Sequence, residues 1–183
     1  MLPLEQYITD HEATNNFFFV QIFQPGHITS RLFDSKGVEG ERNLYLDELA
    51  HANAKLERII ETIVTKDPEA MIIMMADHGG YVGFDHTRAM WKKTDDRDLV
   101  YSIFSSVMAV RWPNNEPPAV DEHFKSSVNM FRILFTYLSE NESYLNHLQD
   151  DASFVYIKEF MTRGAYQYID GDGKVTFKKF SGN

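Results

Sequence analysis

A carboxylate and an imidazole stand side by side in the segment Asp77-His78-Gly79-Gly80, where a short apolar run ends. At a turn that follows a strand, both side chains can converge on one ion, and the glycines let a ligand approach the backbone closely. A carboxylate oxygen with an imidazole nitrogen suits Zn²⁺ or Mn²⁺ better than Ca²⁺. The segment predicts metal ligands at Asp77 and His78. The structural alternative is that Asp77 caps the turn and His78 is a solvated loop residue.

Two further histidines could serve the same site. His27 follows Gln24-Pro25-Gly26 at the end of another apolar run, and His86 lies eight residues after His78. His86 could close over the site from a loop, or it could be an ordinary surface histidine. Whether His27 belongs to the site depends on the elements that carry it.

The spacing of apolar residues predicts those elements. Residues 17–23 form a short, aromatic-rich apolar run interrupted by Gln21, and residues 70–76 form a continuous one; both are typical of strands buried on both faces. Residues 41–65 carry apolar side chains three and four apart, typical of a long amphipathic helix. A strand, a helix and a strand of these lengths predict a βαβ unit with parallel strands. The segments after both strands would then share one sheet edge, where open α/β sheets bind ligands.

The rest of the chain continues the pattern. A third strand is expected within residues 101–112, a second helix over 126–138, and a β-hairpin over 164–180. The predicted fold class is α/β, with a mostly parallel sheet flanked by helices and a C-terminal hairpin. Residues 1–160 would form the α/β part, and 161–183 the terminal hairpin of the same domain.

The tail also resembles the middle of an EF-hand calcium loop, in Asp170-Gly171-Asp172-Gly173. In that register Tyr168 and Lys179 occupy the first and twelfth positions, where calcium requires carboxylates. A hairpin turn explains the same residues. We therefore expect a turn here and no calcium site.

Composition and charge exclude several classes of protein. The 18 Lys and Arg against 27 Asp and Glu give a net charge of −9, which disfavours nucleic acid as a partner. The absence of cysteine excludes disulfides, thiolate zinc sites and cysteine nucleophiles within this chain. The apolar runs are far shorter than the ~20 residues that span a bilayer. The amino terminus lacks a signal-peptide pattern, so we expect a cytosolic protein or a piece of a longer one.

Taken in order, these segments resemble the second half of the sulfatase domain of the alkaline phosphatase superfamily. The resemblance covers about residues 17–157 and is closest to membrane-anchored sulfatase-like proteins, lipoteichoic acid synthases and phosphoethanolamine transferases. The matching segments are the run 17–23 with His27, the helix 45–65, the strand 71–76 with Asp77-His78-Gly79, the strand 106–112 ending at Pro113, and the helix 126–135.

The resemblance implies a metal-assisted transfer or hydrolysis at a phosphate or sulfate ester, through a covalent intermediate on Ser, Thr or modified Cys. Asp77 and His78 would hold a divalent ion (Mn²⁺, Zn²⁺, Mg²⁺ or Ca²⁺). His27 would bind the substrate's phosphate or sulfate group, and His86 would bind beside it and assist the leaving group. Two-metal members have an Asp where this chain has Phe23, so the resemblance implies a single metal ion.

In that family the nucleophile and the remaining acidic metal ligand belong to the first half of the domain. Residues 1–160 would then be the C-terminal half, catalytically incompetent alone and binding metal weakly or not at all. The parent would be membrane-anchored with an extracytoplasmic catalytic domain. The missing N-terminal half would be a partner, and an exposed sheet edge could pair copies of the chain. The alternative is a non-catalytic α/β interaction module whose resemblance is architectural.

Overall fold

The computed structural model describes residues 3–10 and 17–180. Its helices are α1 (Pro3–Asp10), α2 (Gly37–Lys66), α3 (Arg97–Phe104) and α4 (Met130–Ser139). Its strands are β1 (Ile72–Met75), β2 (Met108–Arg111), β3 (Ser153–Ile157), β4 (Gly164–Ile169) and β5 (Val175–Lys179). Short 3₁₀ helices lie at Leu32–Asp34, Thr87–Trp91, Pro113–Asn115, Ala119–His123, Ser127–Asn129 and Glu142–His147.

The strands form two small sheets, and both are antiparallel. β1 pairs with β2, with Ile72 opposite Arg111 and Met75 opposite Met108. The second sheet has the order β3-β4-β5. The fold is therefore a mixture of helix and sheet, as predicted at that level. The mostly parallel sheet is not formed by the strands of residues 3–10 and 17–180.

The long helix is confirmed as α2. It begins four residues before the predicted start and ends at Lys66, where Asp67 N still donates to Ile63 O at 2.8 Å. Pro68 follows at once, and proline disfavours the helical state of the residue before it. Periodicity over many turns makes such a helix predictable from sequence.

The prediction of a buried strand over residues 17–23 is wrong. The segment lies outside both sheets, and Phe17, Phe19 and Phe23 are 91%, 83% and 80% exposed. An apolar run indicates a preference for burial, but a strand also needs a neighbour to complete its backbone hydrogen bonds. In the described chain β1 pairs with β2 alone, so this run lacks the partner that the βαβ prediction required.

The third strand expected within residues 101–112 is confirmed as β2, but a helix occupies the start of that range. Residues 101–104 belong to α3, and the strand β2 begins at Met108. The Asp96 side chain accepts hydrogen bonds from Asp98 N at 2.9 Å and Leu99 N at 3.2 Å, which caps the start of α3. This cap favours a helix over residues 97–104, and the apolar pattern alone did not indicate that helix.

The downstream helix and the hairpin are confirmed. The helix predicted over 126–138 appears as α4, preceded by a 3₁₀ turn. β4 and β5 form the hairpin, and β3 adds a third strand to it. Asp170 Oδ1 accepts from Asp172 N at 3.1 Å and Lys174 N at 2.8 Å, so this carboxylate organises the turn.

Within residues 3–10 and 17–180, three buried clusters hold these elements together. One packs Val100 of α3 against the three-stranded sheet, and another packs Trp112 against Met130 and Leu134 of α4. The third joins Ile28, Tyr81, Phe84 and Ile103, and it underlies the loops that carry the predicted site residues. Among the described helices, none combines the length and the apolar character needed to cross a membrane.

Candidate functional site

The loop after β1, which carries Asp77 and His78, is held against the last turn of α3. Gly79 N donates to Ile103 O at 2.8 Å, and Tyr81 N donates to Ser102 O in the same turn at 3.0 Å. A Cβ atom on Gly79 would overlap the backbone carbonyl of Ser102, so this close approach requires glycine. The end of α3 therefore determines where the predicted metal ligands stand.

The loop that carries His27 meets the loop that carries His78. Ile28 N donates to Gly80 O at 3.2 Å, and Ile28 is buried in the same cluster as Tyr81. The ring centroids of His27 and His78 lie 6.0 Å apart. The structure thus brings the two histidines together, through a contact between loops rather than through the edge of a parallel sheet.

Backbone carbonyls orient both imidazoles in the same way. His27 Nδ1 lies 2.7 Å from Ile28 O, and His78 Nδ1 lies 2.8 Å from Gly79 O. A carbonyl oxygen only accepts hydrogen bonds, so Nδ1 carries a proton in each ring. In the neutral form of such a ring, Nε2 has a lone pair that can bind a metal ion. In the protonated form, Nε2 carries an N–H that can donate to an anionic oxygen. Each histidine offers its Nε2 to a ligand.

Asp77 adds an oxygen donor beside His78. Asp77 Oδ2 lies 3.6 Å from His78 Nε2, and the two side chains are 88% and 38% exposed. These donors match the predicted oxygen-plus-nitrogen chemistry, but catalytic zinc sites usually have three protein ligands. Within residues 3–10 and 17–180, no group of three or more His, Cys, Asp or Glu side chains is placed to hold a metal ion. Asp77 and His78 could therefore supply two ligands of a metal site, and at least one more ligand would have to come from elsewhere.

Tyr81 packs against both imidazoles, and sequence reasoning missed it. Its ring centroid lies 6.1 Å from that of His27 and 5.2 Å from that of His78. Its φ of 59° is left-handed, which is uncommon for a bulky residue. Burial, and to a lesser degree the charge of Asp77, raises the pKa of the Tyr81 phenol. Tyr81 is thus a neutral ring that packs beside both histidines.

One face of α2 carries a second group that sequence reasoning missed. Glu41 and Glu48 accept backbone N–H groups of the loop that carries His27. The ring of Tyr45 packs against Gly80 in the other loop. A cavity of about 240 Å³ lies between this helix face and the His27 loop. Charged residues on an amphipathic helix resemble a solvated face, and only the i, i+4, i+7 spacing could have indicated them.

His86 lies on a neighbouring loop. Thr87 N donates to Thr29 O at 2.9 Å, which ties this loop to the one that carries His27. The imidazole itself is paired with Asp85, whose Oδ1 lies 2.7 Å from His86 Nδ1. The structure therefore connects the backbone of His86 to the site, while its ring is engaged by an adjacent carboxylate.

The geometry defines a cluster of two histidines, one carboxylate and one buried tyrosine, supported by α2 and α3. Its oxygen and nitrogen atoms are of the types that bind divalent cations and oxyanions, although among the described residues no three of these side chains are placed to hold a metal ion together. Comparison of the chain with protein-family models, with curated proteins and with solved structures finds no match.

Proposed function

We propose that this chain is the C-terminal half of a metal-dependent sulfatase-like hydrolase, or of a phosphoryl or phosphoethanolamine transferase, acting on sulfate or phosphate esters. One observation carries the proposal: His27 and His78 converge from separate loops, and each offers Nε2 to a ligand. Paired histidines beside an exposed carboxylate suit a centre that binds both a cation and an anion.

Each residue has a role in the proposal. Asp77 and His78 hold a single divalent ion, which polarises an ester oxygen when it is bound. His27 binds the phosphate or sulfate group through Nε2, and His86 stands on the leaving-group side. The nucleophile and the remaining metal ligand belong to an N-terminal half that this chain does not supply.

Apolar surface near the site supports a missing half. β1 pairs with β2 alone among the described strands, and Ile73 and Met75 of β1 are exposed. Phe17 and Phe23 are exposed as well. Exposed apolar groups and an unpaired strand edge invite a partner. In the proposal, the N-terminal half covers them and completes a mostly parallel sheet, in a membrane-anchored parent with an extracytoplasmic catalytic domain.

Metal titration tests the proposal directly. Mn²⁺ should broaden the ring resonances of His78 and then those of His27, because the two centroids are only 6.0 Å apart. Asp77→Ala should weaken Zn²⁺ binding about tenfold, because it removes one of two donors. Asp47→Ala, which removes an exposed carboxylate on α2, is the matched control. Zn²⁺ binding that is equal in Asp77→Ala and in the control would exclude the metal role of Asp77.

An interaction module is the second candidate, and a particular surface favours it. Phe131, Phe135 and Leu138 of α4 are exposed at i, i+4 and i+7, and the two Phe rings stack with centroids 6.0 Å apart. Such a stripe is typical of a face that packs against a partner. Sedimentation at increasing concentration, without metal, tests this function. Self-association abolished by Phe135→Asp, together with no metal response at His78, would favour the module.

A further inference from the structure

Glu41 is a charged side chain buried inside the molecule, only 4% exposed. Its Oε2 accepts from Thr29 N and its Oε1 accepts from Lys36 N, each at 2.8 Å. A buried carboxylate is costly unless hydrogen bonds satisfy it, and bonds of N–H groups to a charged acceptor are among the stronger ones. Glu41 thus closes the loop between the two amides that it binds.

Glu48, two turns further along the same helix face, binds the other side of this loop. Its Oε2 accepts from Gly26 N at 3.1 Å. The His27 loop is therefore anchored immediately before the histidine by Glu48, and two residues after it by Glu41. Between these anchors, Ile28 N is bonded to Gly80 O of the His78 loop. The acceptors of these N–H groups lie outside the His27 loop, on α2 and on the His78 loop.

We propose that Glu41 and Glu48 are positioning residues that hold the His27 loop so that His27 Nε2 can bind a tetrahedral oxyanion beside Asp77 and His78. This inference rests on the proposed function, because it takes the anion-binding role of His27 from it. Neither glutamate touches the substrate in this proposal. Both act through the backbone on either side of His27.

The number of N–H groups that each carboxylate accepts distinguishes the two glutamates. A glutamine at position 41 offers one acceptor oxygen, and its NH₂ group faces the second backbone N–H, so one bond is lost and two donors meet. A glutamine at position 48 can still accept the single N–H of Gly26. Glu41→Gln and Glu48→Ala should therefore release the loop, whereas Glu48→Gln should keep it in place.

The experiment follows the His27 and His78 ring resonances of the full chain while inorganic sulfate, inorganic phosphate or Zn²⁺ is added separately. Glu41→Gln and Glu48→Ala should weaken oxyanion binding at His27 about five- to tenfold, the effect of one hydrogen bond. Zn²⁺ binding at His78 should stay within about twofold of wild type. Glu48→Gln should bind the oxyanions like wild type, which is rescue by the conservative variant.

Glu39→Gln is the matched control, because this α2 carboxylate has a 72% exposed side chain and contacts Arg42 at 3.7 Å. Glu48→Ala keeps the proposal testable if Glu41→Gln does not fold, since Glu48 lies on the surface. Unchanged oxyanion affinity in both loop-releasing variants, with zinc still bound at His78, would overturn this proposal alone. A loss of zinc affinity equal to the loss of oxyanion affinity would also overturn this proposal, because it would show that the variants disturb the whole site and not the His27 loop alone. Absence of any wild-type oxyanion response at His27 would overturn both this proposal and the anion role in the proposed function.

Discussion

Gly80 stands where the two histidine loops meet α2, and we expect even one added methyl group there to destabilise the protein. A Cβ atom on Gly80 would overlap the ring carbons of Tyr45 and would lie 2.8 Å from its hydroxyl oxygen. The φ of Gly80 is not in the left-handed region, so the backbone itself accepts alanine. The expected effect of Gly80→Ala is therefore purely steric.

The magnitude follows from two opposing terms. Overpacking of a close contact costs about 1–3 kcal/mol, because Tyr45 or the backbone must shift. Replacing glycine by alanine restricts the unfolded chain and stabilises the folded one by about 0.4–1 kcal/mol. The net loss should be about 1–2 kcal/mol. For a chain of this length that corresponds to a fall in Tm of about 2–8 °C.

Urea unfolding of a set of variants measures this loss. Gly26→Ala is the matched control, because a Cβ atom there meets only Glu48 Oε2, at 3.9 Å. It should be neutral or slightly stabilising. In a double-mutant cycle, Tyr45→Leu should recover about 1 kcal/mol of the loss caused by Gly80→Ala, since it removes the atoms that the methyl group meets.

The result that would refute this reasoning is a Gly80→Ala protein as stable as Gly26→Ala. An equal loss with and without the Tyr45 ring would also refute it, because the penalty would then arise elsewhere. Either outcome would mean that α2 does not press against the His78 loop as closely as the structure shows.

Two further predictions concern buried polar groups. Asn129 is 2% exposed, and its side chain donates to Gln149 O and accepts from Gln149 N, each at 2.8 Å. Asn129→Ala should therefore lower the free energy of unfolding in urea by about 2–3 kcal/mol. The control Asn43→Ala, at an exposed position, should lower it by less than about 0.5 kcal/mol. Equal losses would contradict this role. Burial raises the pKa of Tyr168 above its ordinary 10.0, so its stabilising contribution is complete below about pH 10 and is lost as the pH rises through the folded-state pKa. Tyr168→Phe should flatten the alkaline fall in unfolding free energy, and an equally steep fall would contradict the assignment.

The elements that sequence predicted well are those whose signal is local and repeated. The helix α2 repeats its apolar spacing over many turns, and the hairpin is indicated by apolar and polar residues that alternate on both sides of Asp170-Gly171. The strand predicted over 17–23 failed because sheet membership depends on a partner that the run itself does not encode. The helix α3 was missed because it is short, and its signal lies in the capping side chain of Asp96.

The candidate site was predictable in part. The sequence pattern predicts His27 near His78 because it puts both after strands at one sheet edge. That premise is wrong for residues 17–23, and the two loops meet instead through the bond from Ile28 N to Gly80 O. The supporting groups were not predictable, because their importance depends on which backbone amides they reach. Glu41 looks like any charged residue of a surface helix until the fold brings the amide of Thr29 to it.

The left-handed conformation of Tyr81 has a consequence for the stability of the loop that carries His78. A non-glycine residue held at a φ of 59° raises the energy of the closed loop by about 1–2 kcal/mol, and the packing of its ring must offset this. The loop therefore keeps this conformation only as long as the Tyr81 ring packs against the rings of His27 and His78. Asparagine at this position would relieve the backbone strain but remove the ring that packs against both histidines, so the residue that strains this loop also supplies the packing that offsets the strain.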